Sequence, residues 1–267
     1  MDLQKQKWNA DEYANNSTAQ LKWAEELIAK LALKGDESIL DIGCGDGKIS
    51  ARLAQIVRNG RVLGIDSSES MINHASEQFP ARTFPNLRFQ IMDAAAIRLS
   101  EKFDLVFSNA ALHWVEDHMA VLRGVHSCLK PNGKILFQMG GSGNADSLFK
   151  VAGEIMELPR WRDYYRNFKS PYHFYSPEQY RIWLEKSKFK ALRVELIPKD
   201  MQQKGKEGVK GWLRTTWFPY LDRLPCEKRE LFLDEVVEKY LSGYPIDADG
   251  HIHIGMVRLE VEACPIS

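Results

Sequence analysis

At 267 residues, with 44% hydrophobic and 27% charged side chains, the chain can bury one large core, alone or with an added lid. Its 36 basic and 36 acidic residues cancel, which argues against a strongly basic nucleic-acid surface, and no run of ~18 apolar residues offers a membrane span. The cysteines, Cys44, Cys128, Cys226 and Cys264, form no CxxC pair, and their scatter suits a reducing cytoplasm better than a disulfide framework or structural zinc.

Through the first half, short β-branched runs alternate with amphipathic stretches, the pattern of βαβ units. SILDI (38–42) reads as a strand, followed by a glycine-rich turn and a helix over 48–57. RVLGI (61–65) is a second strand, leading into a helix opened by Ser67 or Ser68 as N-cap. LRFQI (87–91) and FDLVFS (103–108) are the third and fourth. A helix is expected over 112–129, stopped by Lys130-Pro131-Asn132-Gly133, with KILFQM (134–139) as the fifth strand. Right-handed crossovers turn this order into a doubly wound α/β sheet with helices on both faces. Such sheets bind ligands beyond the carboxyl ends of their strands. Later come helices over 145–158 and 177–188, a strand over 192–197, a mostly helical stretch over 206–244 and a last strand over 251–262. The long insertion between the final strands is expected to form part of a lid. His251 and His253 share one side of the last strand, where a solvated face is the expected reading and a chelating pair the alternative.

In ILDIGCGDG, Asp41 ends the first strand and Gly43, Gly45 and Gly47 follow. A tight strand-to-helix turn needs glycine where φ is positive or where a ligand lies against the backbone. A dinucleotide fingerprint would need its third glycine where Lys48 stands, and Asp41 would repel a pyrophosphate. A ligand with an ammonium and a sulfonium, such as S-adenosylmethionine, would be attracted; the alternative is that Asp41 caps the turn's own amides. Asp66 ends the second strand, 19 residues after Gly47. There an acidic side chain either accepts from both ribose hydroxyls of an adenosine or caps the next helix. Asp93, after the third strand, can accept the adenine amine, with the Ala94 amide facing a ring nitrogen. Three acids ending three successive strands together mark an adenosyl site.

Asp41-x-Gly43-x-Gly45-x-Gly47, then Asp66 and Asp93, resembles the class I S-adenosylmethionine-dependent methyltransferases over the first half of the chain. The resemblance implies a Rossmann-like, seven-stranded sheet whose last strand is antiparallel. It implies one domain over 1–267, with a cofactor-binding core at 35–141, an N-terminal arm at 1–34 and helical lid segments at 142–188 and 200–248. It further implies that Met71 packs near the adenine, that Asn109 and Ala110 line the cofactor, and that an arm carrying Trp8 and Tyr13 closes over it. Cys44 and Ser67 complete the expected cofactor-binding set.

The run SNAALHWVEDH (108–118) resembles the trans-aconitate methyltransferases, which carry Asn-Ala-x-x-Gln-Trp-x-x-Asp-His after strand four. Asn109, Ala110, Trp114, Asp117 and His118 match, and His113 replaces the glutamine. The Leu-His-Trp version is similar to the juvenile hormone acid methyltransferases, another carboxylate-methylating group. Weaker likeness to the trans-aconitate enzymes continues in Gly211-Trp212-Leu213, Pro219-Tyr220-Leu221 and Tyr244-Pro245.

These resemblances imply methyl transfer from S-adenosylmethionine to a carboxylate oxygen of a small, anionic acceptor in the cytoplasm, with no nucleic-acid or membrane partner and no metal. A carboxylate is already an anion, so alignment of the reactants supplies most of the acceleration. Trp8, Trp114, Tyr172, His173, Trp212 and Trp217 are the candidate acceptor contacts, the last two equally readable as lid core. His113 can donate to a carboxylate, act as base toward a hydroxyl, amine or carbon acid, or cap the following helix. Arg166, Lys210 and Arg214 are candidate cations for an anionic acceptor. The alternatives are N- or C-methylation of a small metabolite with His113 as base, and a non-catalytic S-adenosylmethionine-binding module.

Overall fold

The computed structural model describes residues 18–266. Its strands are β1 (Ser38–Ile42), β2 (Arg61–Asp66), β3 (Leu87–Ile91), β4 (Phe103–Asn109), β5 (Leu129–Gly140), β6 (Phe189–Lys204) and β7 (His251–Pro265). They form one seven-stranded sheet in the order β3-β2-β1-β4-β5-β7-β6. Neighbours from β3 to β5 are parallel, and β7 runs antiparallel to β5, with Gly140 opposite Arg258 and Gln138 opposite Glu260. The helices are α1 (Thr18–Ala29), α2 (Lys48–Ile56), α3 (Glu69–Gln78), α4 (His118–Cys128), α5 (Asp146–Met156), α6 (Pro177–Lys186), α7 (Gly205–Thr216), α8 (Phe218–Leu221) and α9 (Cys226–Gly243).

Every residue of β1 is buried, because both faces of the sheet are covered, and this is why SILDI carries no alternating polar face. On one face Leu27 and Ile28 of α1 and Leu53 of α2 meet Ile39, Leu105, Phe107 and Leu136. On the other, Val121, Leu122 and Val125 of α4 join Tyr180 and Leu184 of α6 against Leu40, Ile42, Val106 and Phe137. Each such aliphatic side chain contributes about 1.5–3 kcal/mol on burial.

The chain divides into two compact units. The first holds the described residues up to Ser142, then Tyr172–Ile197 and those from Arg258 onward; the second holds Gly143–Pro171 and Pro198–Val257. In the second, Trp161, Tyr165 and Phe232 pack ring on ring at 5.4 Å, and Trp217 stacks on Phe149 and Tyr220 at 5.0 Å. His253 there is bracketed by Asp200 and Asp247 at 2.7 and 2.9 Å, an ion-paired solvent face.

Three expectations need correction. The helix foreseen over 112–129 is broken: Leu112–Trp114 form a 3-10 turn, and α4 starts anew at His118 because the Asp117 carboxylate accepts from the Ala120 amide at 2.9 Å. The fifth strand begins at Leu129, with an irregular register that absorbs the 130–133 turn. Residues 172–188 belong to the first unit rather than to a separate helical addition, since Tyr180 and Leu184 are buried in its core. No helix among the described residues is long and apolar enough to cross a membrane.

Candidate active site

The strand order reverses between β1 and β4, so the crevice of this doubly wound sheet opens beyond their carboxyl ends, at Asp41 and Asn109. Gly43 (φ +71°) and Gly45 (φ +54°) are both left-handed, for different reasons. A Cβ on Gly43 would fall 2.1 Å from that of Ala111, so the site is closed by packing. A Cβ on Gly45 would meet nothing within 4 Å, which leaves an open face of backbone.

The turn is held by β2. The Gly43 and Cys44 amides donate to the Ile65 carbonyl, and the Gly45 amide donates to Asp66 Oδ2 at 3.0 Å. Asp66 Oδ1 accepts from the Ser68 amide at 2.9 Å, while Ser68 itself caps α3. Asp66 therefore braces two loops, with the Ser67 amide also turned to its carboxylate, and three amides do not exhaust the four lone pairs of a carboxylate. Asp41 does not cap the turn. It is 2% exposed and accepts a 2.6 Å hydrogen bond from the Ser50 hydroxyl, and among the described residues no cation pairs with it. Burial, then the charge of Asp66, push its pKa up to about 7; burial raises Asp66 as well. A buried carboxylate with one hydroxyl donor and no counterion is electrostatically incomplete, and a cation placed against it favours its ionised form. The open Gly45 face, the acceptor directions of Asp66 and the cation-deficient Asp41 fit a cationic adenosyl cofactor.

The remaining expected cofactor residues surround this edge. Cys44 and Met71 are buried, and burial pushes the Cys44 thiol well up. Ser67 is exposed. Asp93 is exposed and caps the 3-10 turn Ala94–Ala96 by accepting from the Ala95 amide at 2.8 Å. Asn109 is buried at the end of β4, and Ala110 is left-handed (φ +54°), its amide held by the Gln138 carbonyl at 2.8 Å. Trp8 and Tyr13 lie outside the described residues.

The two histidines of the post-β4 run have different roles. Leu112 O accepts from His118 Nε2 at 3.0 Å, so His118 Nδ1 accepts from the Tyr180 hydroxyl at 3.1 Å. His118 is buried, and burial holds its pKa at about 4; it ties the 3-10 turn to α6. His113 Nδ1 accepts from the Gly140 amide at 3.3 Å, which leaves the proton of the neutral ring on Nε2. Burial, then the charges of Arg258 and His118, hold the His113 pKa at about 3. His113 is a neutral donor at physiological pH. Residues 172–175 run beside the end of β5, where Gly141 pairs with Tyr175 and the His173 amide donates to the His113 carbonyl at 2.8 Å. This brings the Tyr172 and Phe174 rings within 5.9 and 6.1 Å of His113, and Trp114 lies 4.6 Å from Tyr172. Phe174 and Arg258 were missed from sequence, since neither sits in a motif or at a diagnostic spacing.

A methyltransferase-domain family model matches residues 33–196. The chain belongs to that methyltransferase family. It is 28% identical over 240 residues to a putative methyltransferase, 235L, of Invertebrate iridescent virus 6, covering 88% of this chain and 86% of that one. It is 30% identical over 244 residues to a trans-aconitate 2-methyltransferase of Deinococcus radiodurans, covering 89% and 92%. Among solved structures it shares its fold with Haemonchus contortus phosphoethanolamine N-methyltransferase 2 in complex with S-adenosyl-L-methionine, at a TM-score of 0.60 and 19% identity, over 97% of this chain and 57% of that one.

The methyltransferase brings Asp41, Gly43, Cys44, Gly45, Asp66, Ser67, Met71, Asp93, Ala94, Asn109, Ala110, His113, Trp114, Tyr172 and His173 into its first unit. Trp212 and Trp217 lie in the second, 6% and 1% exposed, as parts of its interior. The cations suggested for an anionic acceptor are engaged there too. Lys210 meets Asp234, Glu207 and Glu230 at 2.6–3.2 Å, Arg214 meets Glu230 at 2.7 Å, and Arg166 meets Asp163 at 2.8 Å.

Proposed function

We propose that this methyltransferase methylates a carboxylate oxygen of a small anionic acceptor, and that Asp41, Gly45 and Asp66 hold the cofactor. One observation carries the choice of oxygen: the Gly140 amide occupies His113 Nδ1, so the ring offers an Nε2–H donor and no free basic nitrogen. When bound, S-adenosylmethionine supplies a methyl group on a sulfonium, which an ionised carboxylate can displace with no proton to remove. His113 would hold that carboxylate by a hydrogen bond, and Trp114, Tyr172 and Phe174 would exclude water around it. Asp66 would accept from the ribose hydroxyls, and Asp93 from the adenine amine. The relatives named as trans-aconitate 2-methyltransferases support a carboxylate acceptor.

The test is a pH–rate profile with trans-aconitate as first probe, followed by a panel of organic acids. With saturating cofactor, kcat should be flat between pH 6 and 9; His113→Ala should lower kcat/KM about tenfold and His113→Gln, which keeps an N–H donor, about 3-fold or less, neither adding a limb. A limb near pH 6–7 that disappears in His113→Gln would make the histidine a base and overturn the carboxylate reading.

A further inference from the structure

Asp41 and Asp66 stand at the carboxyl ends of adjacent strands, yet their carboxylates are held differently. Asp66 accepts from the amides of Gly45, Ser67 and Ser68, whereas Asp41 takes one donor among the described residues, the Ser50 hydroxyl at 2.6 Å. Ser50 is the third residue of α2 and is wholly buried. A helical serine ordinarily turns its hydroxyl to nearby backbone. This one leaves its own helix and reaches back nine residues to β1. Burial weighs most against the Asp41 charge, and Asp66 on β2 adds a like charge. On the turn, the Cys44 thiol is pushed up by burial and by Asp66, Asp41 and Asp46. Lys48, in the first turn of α2, ion-pairs with Asp46 at 3.0 Å, and β4 meets Asp41 in register through Phe107. Ser50 works in the opposite sense to burial and to Asp66, because its hydrogen bond is charge-assisted only while Asp41 is an anion.

We propose that Ser50 is a positioning residue for cofactor binding: by holding Asp41 Oδ2 it keeps that carboxylate ionised to meet the cofactor's cation, and so sets the lowest pH at which the cofactor binds tightly. The assignment rests on the reading above that Asp41 holds the cofactor. Without the hydroxyl, Asp41 keeps its proton to a higher pH in the free protein. Binding must then expel that proton to the buffer, and affinity falls by the free energy of doing so.

The experiment is calorimetric titration of S-adenosylhomocysteine into wild type, Ser50→Ala, Ser50→Cys and Asp41→Asn, each in two buffers of different ionisation enthalpy, which counts the protons released on binding. The ligand keeps its ammonium, whose own titration cancels between variants. At pH 7.5 the wild type should release about a quarter of a proton from this site and Ser50→Ala about three quarters, as expected if losing one charge-assisted hydrogen bond raises Asp41 by about one unit. The same change should weaken binding about 8-fold at pH 6.5 and less than about 2-fold at pH 9, whereas a general loss of packing would act at every pH. Ser50→Cys, whose thiol is a weak donor, should fall between the two. The proton count of Asp41→Asn should be the same with and without Ser50→Ala. Equal proton counts for wild type, Ser50→Ala and Ser50→Cys, or a loss of affinity of the same size at pH 6.5 and 9, would overturn the assignment while leaving Asp41 at the cofactor. A wild type whose proton count and affinity match those of Asp41→Asn at every pH would remove the reading of Asp41 as well.

Discussion

The carboxyl edge of the first unit and the helical interior of the second handle charge in opposite ways. In the second unit Lys210 is shared among three carboxylates and Arg214 between two, with side chains 48–75% exposed on the acidic side. At the sheet edge Asp41 is almost wholly buried, with a single hydroxyl donor among the described residues. Saturated ion pairs are a property of a finished fold. A buried carboxylate held this sparsely is costly unless something arriving from outside completes it. The contrast separates residues kept for a ligand from residues kept for stability, and it separates them better than residue type does.

The largest effect is expected at Asp66. On the proposed reading, Asp66→Ala would remove the charge-assisted hydrogen bonding to the ribose, about 1.5–3 kcal/mol per bond, along with the brace on the Gly45 amide. The Kd for S-adenosylhomocysteine, measured by calorimetry, should rise at least 100-fold. A change under 5-fold would put the ribose elsewhere.

Asp41 should make cofactor affinity pH-dependent. Its pKa in the free protein is raised to about 7. A raised carboxylate contributes stability that is complete below its unfolded pKa of about 4 and is lost as pH rises through the folded value. The cationic cofactor selects the ionised form, so binding releases a proton below pH 7, and affinity should fall about tenfold per pH unit there while levelling off above pH 8. The cofactor-induced rise in Tm should accordingly be larger at pH 8 than at pH 6. Asp41→Asn should flatten both curves and weaken binding about tenfold at pH 8.

The proposed cofactor half of the site is legible in the sequence because strand ends, a glycine turn and three acids are local in the chain. Asp41, Gly45 and Asp66 each follow directly from a strand, and the strand order alone brings them to one edge. The acceptor half was less legible, because it is assembled by long-range pairing. Tyr172 and His173 were picked, but the reason they reach His113 is the bridge between Gly141 and Tyr175, which leaves no spacing pattern. Arg258 reaches the edge only through the register of the last strand. The candidate cations Lys210, Arg214 and Arg166 sit on chemically plausible stretches whose carboxylate partners are distant or unremarkable in sequence. His113 and His118 looked alike as members of one run; only the carbonyl at Leu112 and the amide at Gly140 distinguish their tautomers.

The smallest expected effect on catalysis is at Lys210, and it tests the contrast from the other side. Lys210→Met would remove a nearly buried ammonium and leave Glu207, Glu230 and Asp234, which are 75%, 53% and 48% exposed at the side chain. Those carboxylates can recover water, and Arg214 still holds Glu230, so the loss should be about 1–2 kcal/mol. Glu230, whose pKa is held down at about 2 chiefly by Arg214, contributes stability that is present above its unfolded value and lost as pH falls through the folded one. Removing Lys210 takes away part of that depression, so acid unfolding should begin at a higher pH in Lys210→Met. Its Tm should drop by about 2–8 °C at pH 7. Its kcat and its KM for S-adenosylmethionine and for the acid acceptor should stay within 2-fold of wild type. If the KM for the acid rose strongly while Tm held, Lys210 would be reading the acceptor, and the division between the two regions would have to be redrawn around it.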